Sequence, residues 1–151
     1  MTDLPGSYYN RRVPPGPELS PRARGQERPP EGLLRGIEQF NAREYFEAHE
    51  TLETLWNAEP DIHRVLYKGI LQVGVGCYHF LRGNYRGALL KLEAGANYLT
   101  PFAPRFMGIN VERLIADARC LHAAILAAGP DGMSSIDHAL LPIIILDERP
   151  A

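Results

Sequence analysis

The chain has 151 residues, 45% of them hydrophobic and 23% charged, with a formal net charge of −2. That length is enough for one domain with its own core, and those fractions exclude a wholly disordered chain and a membrane-embedded one. The charge balance leaves no basic excess for neutralising a run of phosphates, so nucleic acid is not an expected partner.

Residues 1–30 hold seven of the 13 prolines together with Arg11, Arg12, Arg22, Arg24 and Arg28. Such a composition neither propagates a helix nor buries much surface, and reads as an extended or disordered arm. Its arginines suit either an anionic partner or a solubilising strap along the domain. The N-terminus lacks a basic-then-apolar leader, and no apolar run is long enough to span a bilayer. Only Cys77 and Cys120 are present, too few for a disulfide framework, so a cytoplasmic protein is expected.

From Glu31 the apolar residues take helical spacing. Leu33, Leu34, Ile37 and Phe40 predict a first helix over residues 31–41, just after Pro29-Pro30. A second follows the break at Asn41-Ala42-Arg43, carries Tyr45, Ala48, Leu52, Leu55 and Trp56 on one stripe, and ends before Pro60. A third, long helix is expected from Asp61, read as its N-terminal cap, to about Arg82. A fourth spans about Asn84 to Leu99. A fifth, capped by Asn110, runs to Gly129-Pro130. The expected architecture is all-α, one domain over residues 31–128, followed by an extended tail over 129–151. The apolar stretch Leu140–Leu146 in that tail is expected to pack into a groove, with no second strand to pair with.

Displaced by 40 positions, the chain matches itself: Gly36 with Gly76, Phe40 with Phe80, Tyr45 with Tyr85, Ala48 with Ala88, Leu52 with Leu92, Glu53 with Glu93 and Asn57 with Asn97. Two helical hairpins, each unable to cover its own apolar face, plus a closing fifth helix account for this period.

Some polar residues fall on faces that should be apolar. On the second helix His49 and Glu53, spaced i and i+4, lie within the apolar arc near Phe46, while Glu47, Glu50, Thr51 and Thr54 take the wet side. The third helix is apolar nearly all round, except for one strip of Lys68, Gln72 and His79. A buried cluster of His49, Glu53, Trp56, Lys68, Gln72 and His79 is therefore expected across this helix pair. It reads as a hydrogen-bond network fixing helix register, as a ligand pocket, or as separate solvated residues. As a metal site, His49, Glu53 and His79 would suit zinc or another divalent ion, with Glu50 as candidate base for metal-assisted hydrolysis. Lys68 would oppose a cation, and the spacing is neither HExxH nor the ExxH of di-iron bundles. As an anion site, Lys68, His49 and His79 would attract and Glu53 would orient one histidine. His122 is expected to be a hydrogen-bonded core residue, and His63 carries no pattern. The glycines Gly69, Gly74 and Gly76 are expected to let helices cross closely. Apolar residues left over on the third and fifth helices favour a homodimer.

The string Phe40-Asn41-Ala42-Arg43-Glu44-Tyr45-Phe46-Glu47-Ala48-His49-Glu50-Thr51-Leu52-Glu53-Thr54-Leu55-Trp56, followed by Gln72, His79 and Gly83-Asn84, resembles the small prokaryotic helical family called domain of unknown function 309. The resemblance covers about residues 31–100. It implies an all-α fold of helical hairpins and a motif containing His49, Glu50, Glu53, Trp56, Gln72 and His79, and it implies no activity. Glu50, on the wet side yet within the motif, would then support the site from outside or belong to an interface. The residues themselves favour a non-catalytic binding or assembly module over a small enzyme, with a small molecule or a protein as its partner.

Overall fold

The computed structural model describes residues 27–147; most of the arginine-bearing arm, residues 1–26, and residues 148–151 lie outside that range. Five α-helices follow in order: α1 Glu31–Asn41, α2 Tyr45–Ala58, α3 His63–Leu81, α4 Tyr85–Leu99 and α5 Val111–Ala128. Short 3-10 turns cover Thr100–Phe102, Met133–Ser135 and His138–Leu140. The fold is all-α. No helix among the described residues is long and apolar enough to cross a membrane.

The helix ends follow local chemistry. The Asn84 side chain accepts a hydrogen bond from the Gly87 amide at 2.9 Å, and the Asn110 side chain accepts from Arg113 N at 3.0 Å, which satisfies donors that a helix N-terminus leaves open. Helix α3 begins one residue later than a cap at Asp61 implies. The Asp61 carboxylate accepts from the very next amide, Ile62 N, at 2.7 Å, while the cap position falls on Ile62.

Helix α3 is the spine and packs against both α2 and α4. Twelve of its 19 residues are buried, among them Leu66, Tyr67, Ile70, Val73, Cys77 and Phe80. The apolar side chains that made α3 a candidate for self-association therefore face inward, and Phe46, Leu90 and Leu126 are large exposed apolar residues on α2, α4 and α5.

The 40-residue period is a period of structure. The α1–α2 turn holds Arg43 at φ 64°, and the α3–α4 turn holds Gly83 at φ 76°. Glu44 N donates to Gln39 O at 2.9 Å, and Asn84 N donates to His79 O at 2.8 Å. A Cβ on Gly36 would stand 3.0 Å from a Leu52 methyl, and one on Gly76 would stand 2.8 Å from Leu92 Cγ. Each of these pairs is related by the same displacement along the chain.

The tail departs from expectation. Phe106 and Ile109 frame a two-residue hairpin between the short strands β1 Arg105–Phe106 and β2 Ile109–Asn110, with both turn residues, Met107 and Gly108, at positive φ, the geometry that matches strand twist. The tail pairs with it: Ile109 bridges Leu146, and Asn110 N donates to Ile145 O at 2.9 Å. Leu140–Leu146 thus does find a strand to pair with. Asn41 at the end of α1 clamps the same segment, donating to Ile144 O at 2.8 Å and accepting from Ile144 N at 2.7 Å. Leu141 and Ile144 are buried in consequence.

Candidate functional site

The conspicuous polar strip of α3 lies on the side of the spine between α2 and α4. Lys68 of this strip stands over Trp56 of α2 and feels the charges of Glu53 on α2 and Lys91 on α4, and His79 feels the same Lys91, so these side chains share one partly exposed surface, the α2–α4 groove. The groove is wetter than the sequence suggested. His49, Trp56, Lys68, Gln72 and His79 are half-buried, and the side chains of His49 and Glu53 are 36% and 51% exposed. The expectation of a buried cluster is therefore corrected. A side chain on the inward arc of one helix thus still reaches water at these positions. Glu50 is exposed, on the side that helical geometry assigned to it.

His49 Nε2 lies 3.8 Å from Glu53 Oε1, an i, i+4 contact longer than a hydrogen bond, and His49 Nδ1 is buried with no hydrogen-bond partner among the described residues. Trp56 is the anchor on the α2 side. Both the Arg64 guanidinium and the Lys68 ammonium stand 4.5 Å from its ring centroid, within the range in which a ring quadrupole attracts a cation. Arg64 Nε also donates to Trp56 O at 3.4 Å.

The electrostatics of the groove are dominated by cations. Burial first, then the Lys91 and Arg64 charges, holds Lys68 below the usual lysine value, with the Glu53 carboxylate opposing them as a smaller effect. Burial and the same Lys91 ammonium hold His79 below the usual histidine value. Among the described residues neither Lys68 nor Lys91 forms an ion pair within 4 Å. At the other end, the Asn84 amide nitrogen lies 3.3 Å from His79 Nδ1. The Asn84 oxygen is already engaged as the α4 cap, so the amide nitrogen is the donor and Nδ1 the acceptor. Neutral His79 then carries its proton on Nε2.

Two members of this site, Arg64 and Lys91, were missed in the sequence. Arg64 was legible, since it precedes Lys68 by one helical turn and extends the same strip. Lys91 is visible only through the repeat. His79 and Lys91 occupy the positions of Gln39 and Thr51, and in the first hairpin Thr51 Oγ donates to Gln39 Oε1 at 2.7 Å. The second hairpin therefore sets His79 and Lys91 near each other by the same geometry.

As for a metal, no group of three His, Cys, Asp or Glu side chains among the described residues is arranged to hold an ion. His49 and Glu53 are adjacent, whereas His79 lies in the Asn84–Lys91 neighbourhood beside a competing ammonium.

Elsewhere, His63 is the fully buried charged or polar side chain that the sequence did not single out. Its Nε2 lies 3.6 Å from Glu27 Oε2 and its ring 5.1 Å from the Phe106 ring. Nothing in its spacing distinguished it, because its partners come from the segment before α1 and from the β-hairpin. His122, expected in the core, is instead half-buried at the mouth of a cleft between α4 and α5. Deep under the groove, burial pushes the Tyr45 hydroxyl well up and the Cys77 thiol beside it up to about 12. Both are therefore neutral, inert parts of the core.

No solved structure matches the chain. A similar protein is the "Uncharacterized protein YpuF" of Bacillus subtilis (strain 168), 39% identical over 61 residues, which amount to 39% of this chain and 35% of that protein. The chain thus aligns with about a third of the length of the curated relative it matches. Residues 33–90, from the first turn of α1 to the middle of α4, match the family model described as "Domain of unknown function (DUF309)". Those residues include every motif position from His49 to His79, and over them the chain is similar to that family.

Proposed function

We propose that this chain is a non-catalytic binding module whose α2–α4 groove takes up an anionic group. The observation that carries the reading is the convergence of Lys68 and Lys91 from adjacent helices, with no carboxylate paired to either among the described residues. Gathering like charges over a half-buried surface is unfavourable, and burial together with the Lys91 and Arg64 charges holds Lys68 below the usual lysine value. An anion between them would reverse that penalty, accept charge-assisted hydrogen bonds from both, and meet the neutral His79 Nε2–H as a further donor. Trp56 would hold the Lys68 stem in place from the side.

The groove contains polar donors without a nucleophile activated by an adjacent base, so binding rather than turnover fits its chemistry. The expected experiment is a thermal-shift series of the full chain in inorganic phosphate, sulfate and small di- and tricarboxylates at constant ionic strength. One of these anions should raise the Tm, and Lys68→Met and Lys91→Met should each abolish the rise while leaving the fold intact. Equal shifts in wild type and both variants would mean general salt stabilisation and would remove the reading.

A further inference from the structure

Four differences between the two hairpins meet around His79: displaced by 40 positions, His79, Asn84, Gly87 and Lys91 stand where the first hairpin has Gln39, Glu44, Glu47 and Thr51. In the first hairpin Glu44 makes no side-chain cap, and Gln39 Oε1 accepts from the Thr51 hydroxyl at 2.7 Å. In the second, Asn84 uses both ends of its amide. Its oxygen accepts from Gly87 N at 2.9 Å, and its nitrogen lies 3.3 Å from His79 Nδ1.

The two contacts fix each other. The backbone N–H of Gly87 can only donate, so the Asn84 oxygen faces it and the amide nitrogen faces the imidazole. A donor opposite Nδ1 requires a bare nitrogen there, which leaves the proton of the neutral ring on Nε2. Turning the amide over would surrender the cap of α4. Position 87 supplies the room: a Cβ on Gly87 would stand 2.8 Å from Asn84 Nδ2 and 2.9 Å from His79 Cδ2, so any side chain there would drive the amide or the ring away.

We propose that Asn84 is a positioning residue of the α2–α4 groove, holding the His79 proton on Nε2 so that the ring offers an anion a donor and not a lone pair. This role rests on the anion reading of the groove. An anion accepts a hydrogen bond from Nε2–H and is repelled by a bare Nε2, so the nitrogen that carries the proton decides whether His79 aids or opposes binding. Burial and the Lys91 ammonium disfavour a second proton on the ring, which makes the place of the single proton matter.

The test has two arms, both on the full chain. The first is nitrogen NMR of the His79 imidazole without added anion at about pH 8.5, roughly two units above the ordinary histidine value, where the ring is neutral. Wild type should show a protonated Nε2 and a bare Nδ1. Asn84→Asp keeps the cap, because aspartate caps a helix about as well as asparagine, but turns an acceptor towards His79 and should move the proton to Nδ1. The second arm is titration with inorganic phosphate at the same pH in a double-mutant cycle with His79→Gln. The charge added by Asn84→Asp weakens phosphate in both backgrounds, and with His79 present the loss should be greater by about tenfold, the worth of one charge-assisted hydrogen bond. A proton that stays on Nε2 in folded Asn84→Asp, or equal losses in the two backgrounds, would overturn the role. If wild type fails to bind phosphate, the anion reading falls and this role with it; if phosphate binds but the proton does not move, this role alone falls.

Discussion

His79 titrates below its usual value because burial and the Lys91 ammonium both disfavour its charged form. In the unfolded chain it regains a value near 6.5, so just below that pH the unfolded state binds more protons than the folded one. Stability contributed by this residue is therefore complete above about 6.5 and is lost as pH falls towards the depressed folded value. His79→Gln should flatten this part of the stability profile, measured by urea denaturation between pH 5 and pH 8 relative to wild type. In Lys91→Met the His79 pKa should rise towards 6.5, readable from its imidazole proton shifts. An unchanged value would show that burial alone sets it. At this scale the sequence was informative about which residues matter and poor about their exposure. Lys68, Gln72 and His79 were legible as one strip because helical spacing alone places them. Their half-exposure depends on how α2 and α4 pack against α3, which periodicity within one helix does not encode. His63 was illegible for the same reason, since its partners Glu27 and Phe106 are remote in sequence.

At the level of elements, close helix approach rests on glycines, including one that the sequence reading passed over. A Cβ on Gly95 of α4 would meet Val73 Cγ2 at 2.5 Å and the Val73 backbone nitrogen at 2.8 Å, whereas one on Gly74 would find only ordinary contacts at 3.5 Å. Gly95→Ala should destabilise by about 1–3 kcal/mol through overpacking against backbone that cannot yield. Gly74→Ala should be far milder, helped by the better helix propensity of alanine. Chemical denaturation of the two variants checks the contrast. The tail is held by a different device. Asn41→Ala removes both hydrogen bonds to Ile144 and should release residues 141–147 to faster hydrogen exchange, at roughly 1–3 kcal/mol from two lost bonds, while α3 amides stay protected. Some helix limits were readable: α1 matches the range set by Pro29-Pro30 and the break after Asn41, and Asn110 caps α5, whereas the expected Asp61 cap of α3 falls on Ile62. The β-hairpin was not, because two-residue strands carry no alternation and Met107 at positive φ is an uncommon turn residue.

Across the whole molecule, two hairpins of one design stack on a shared spine and are closed by α5 and the tail. Matching turns, matching glycine–leucine contacts and matching tyrosine–alanine pairs explain why the 40-residue period was visible in the chain before any contact was known. What the repeat did not foretell is where its copies differ: Trp56 against Ala96, Gln39 against His79, Thr51 against Lys91. Two of those differences, His79 and Lys91, put side chains of the cationic groove in the second hairpin. Because α3 packs against both α2 and α4, its amides should exchange slowest, near the rate of global unfolding, and the tail beyond Gly129 fastest. A second region as slow as α3 would argue against a single spine.

We propose one anion-binding groove formed by Lys68, Lys91 and His79. Its most direct measurement is a site-resolved NMR titration of the full chain with inorganic phosphate, followed at the His79 imidazole and the two lysine ammonium groups at fixed pH and ionic strength. A single saturating curve shared by all three groups, with the His79 pKa rising as phosphate fills the groove and lost in Lys91→Met, is the result predicted. Shifts that fail to saturate, or that persist unchanged in Lys91→Met, would contradict it.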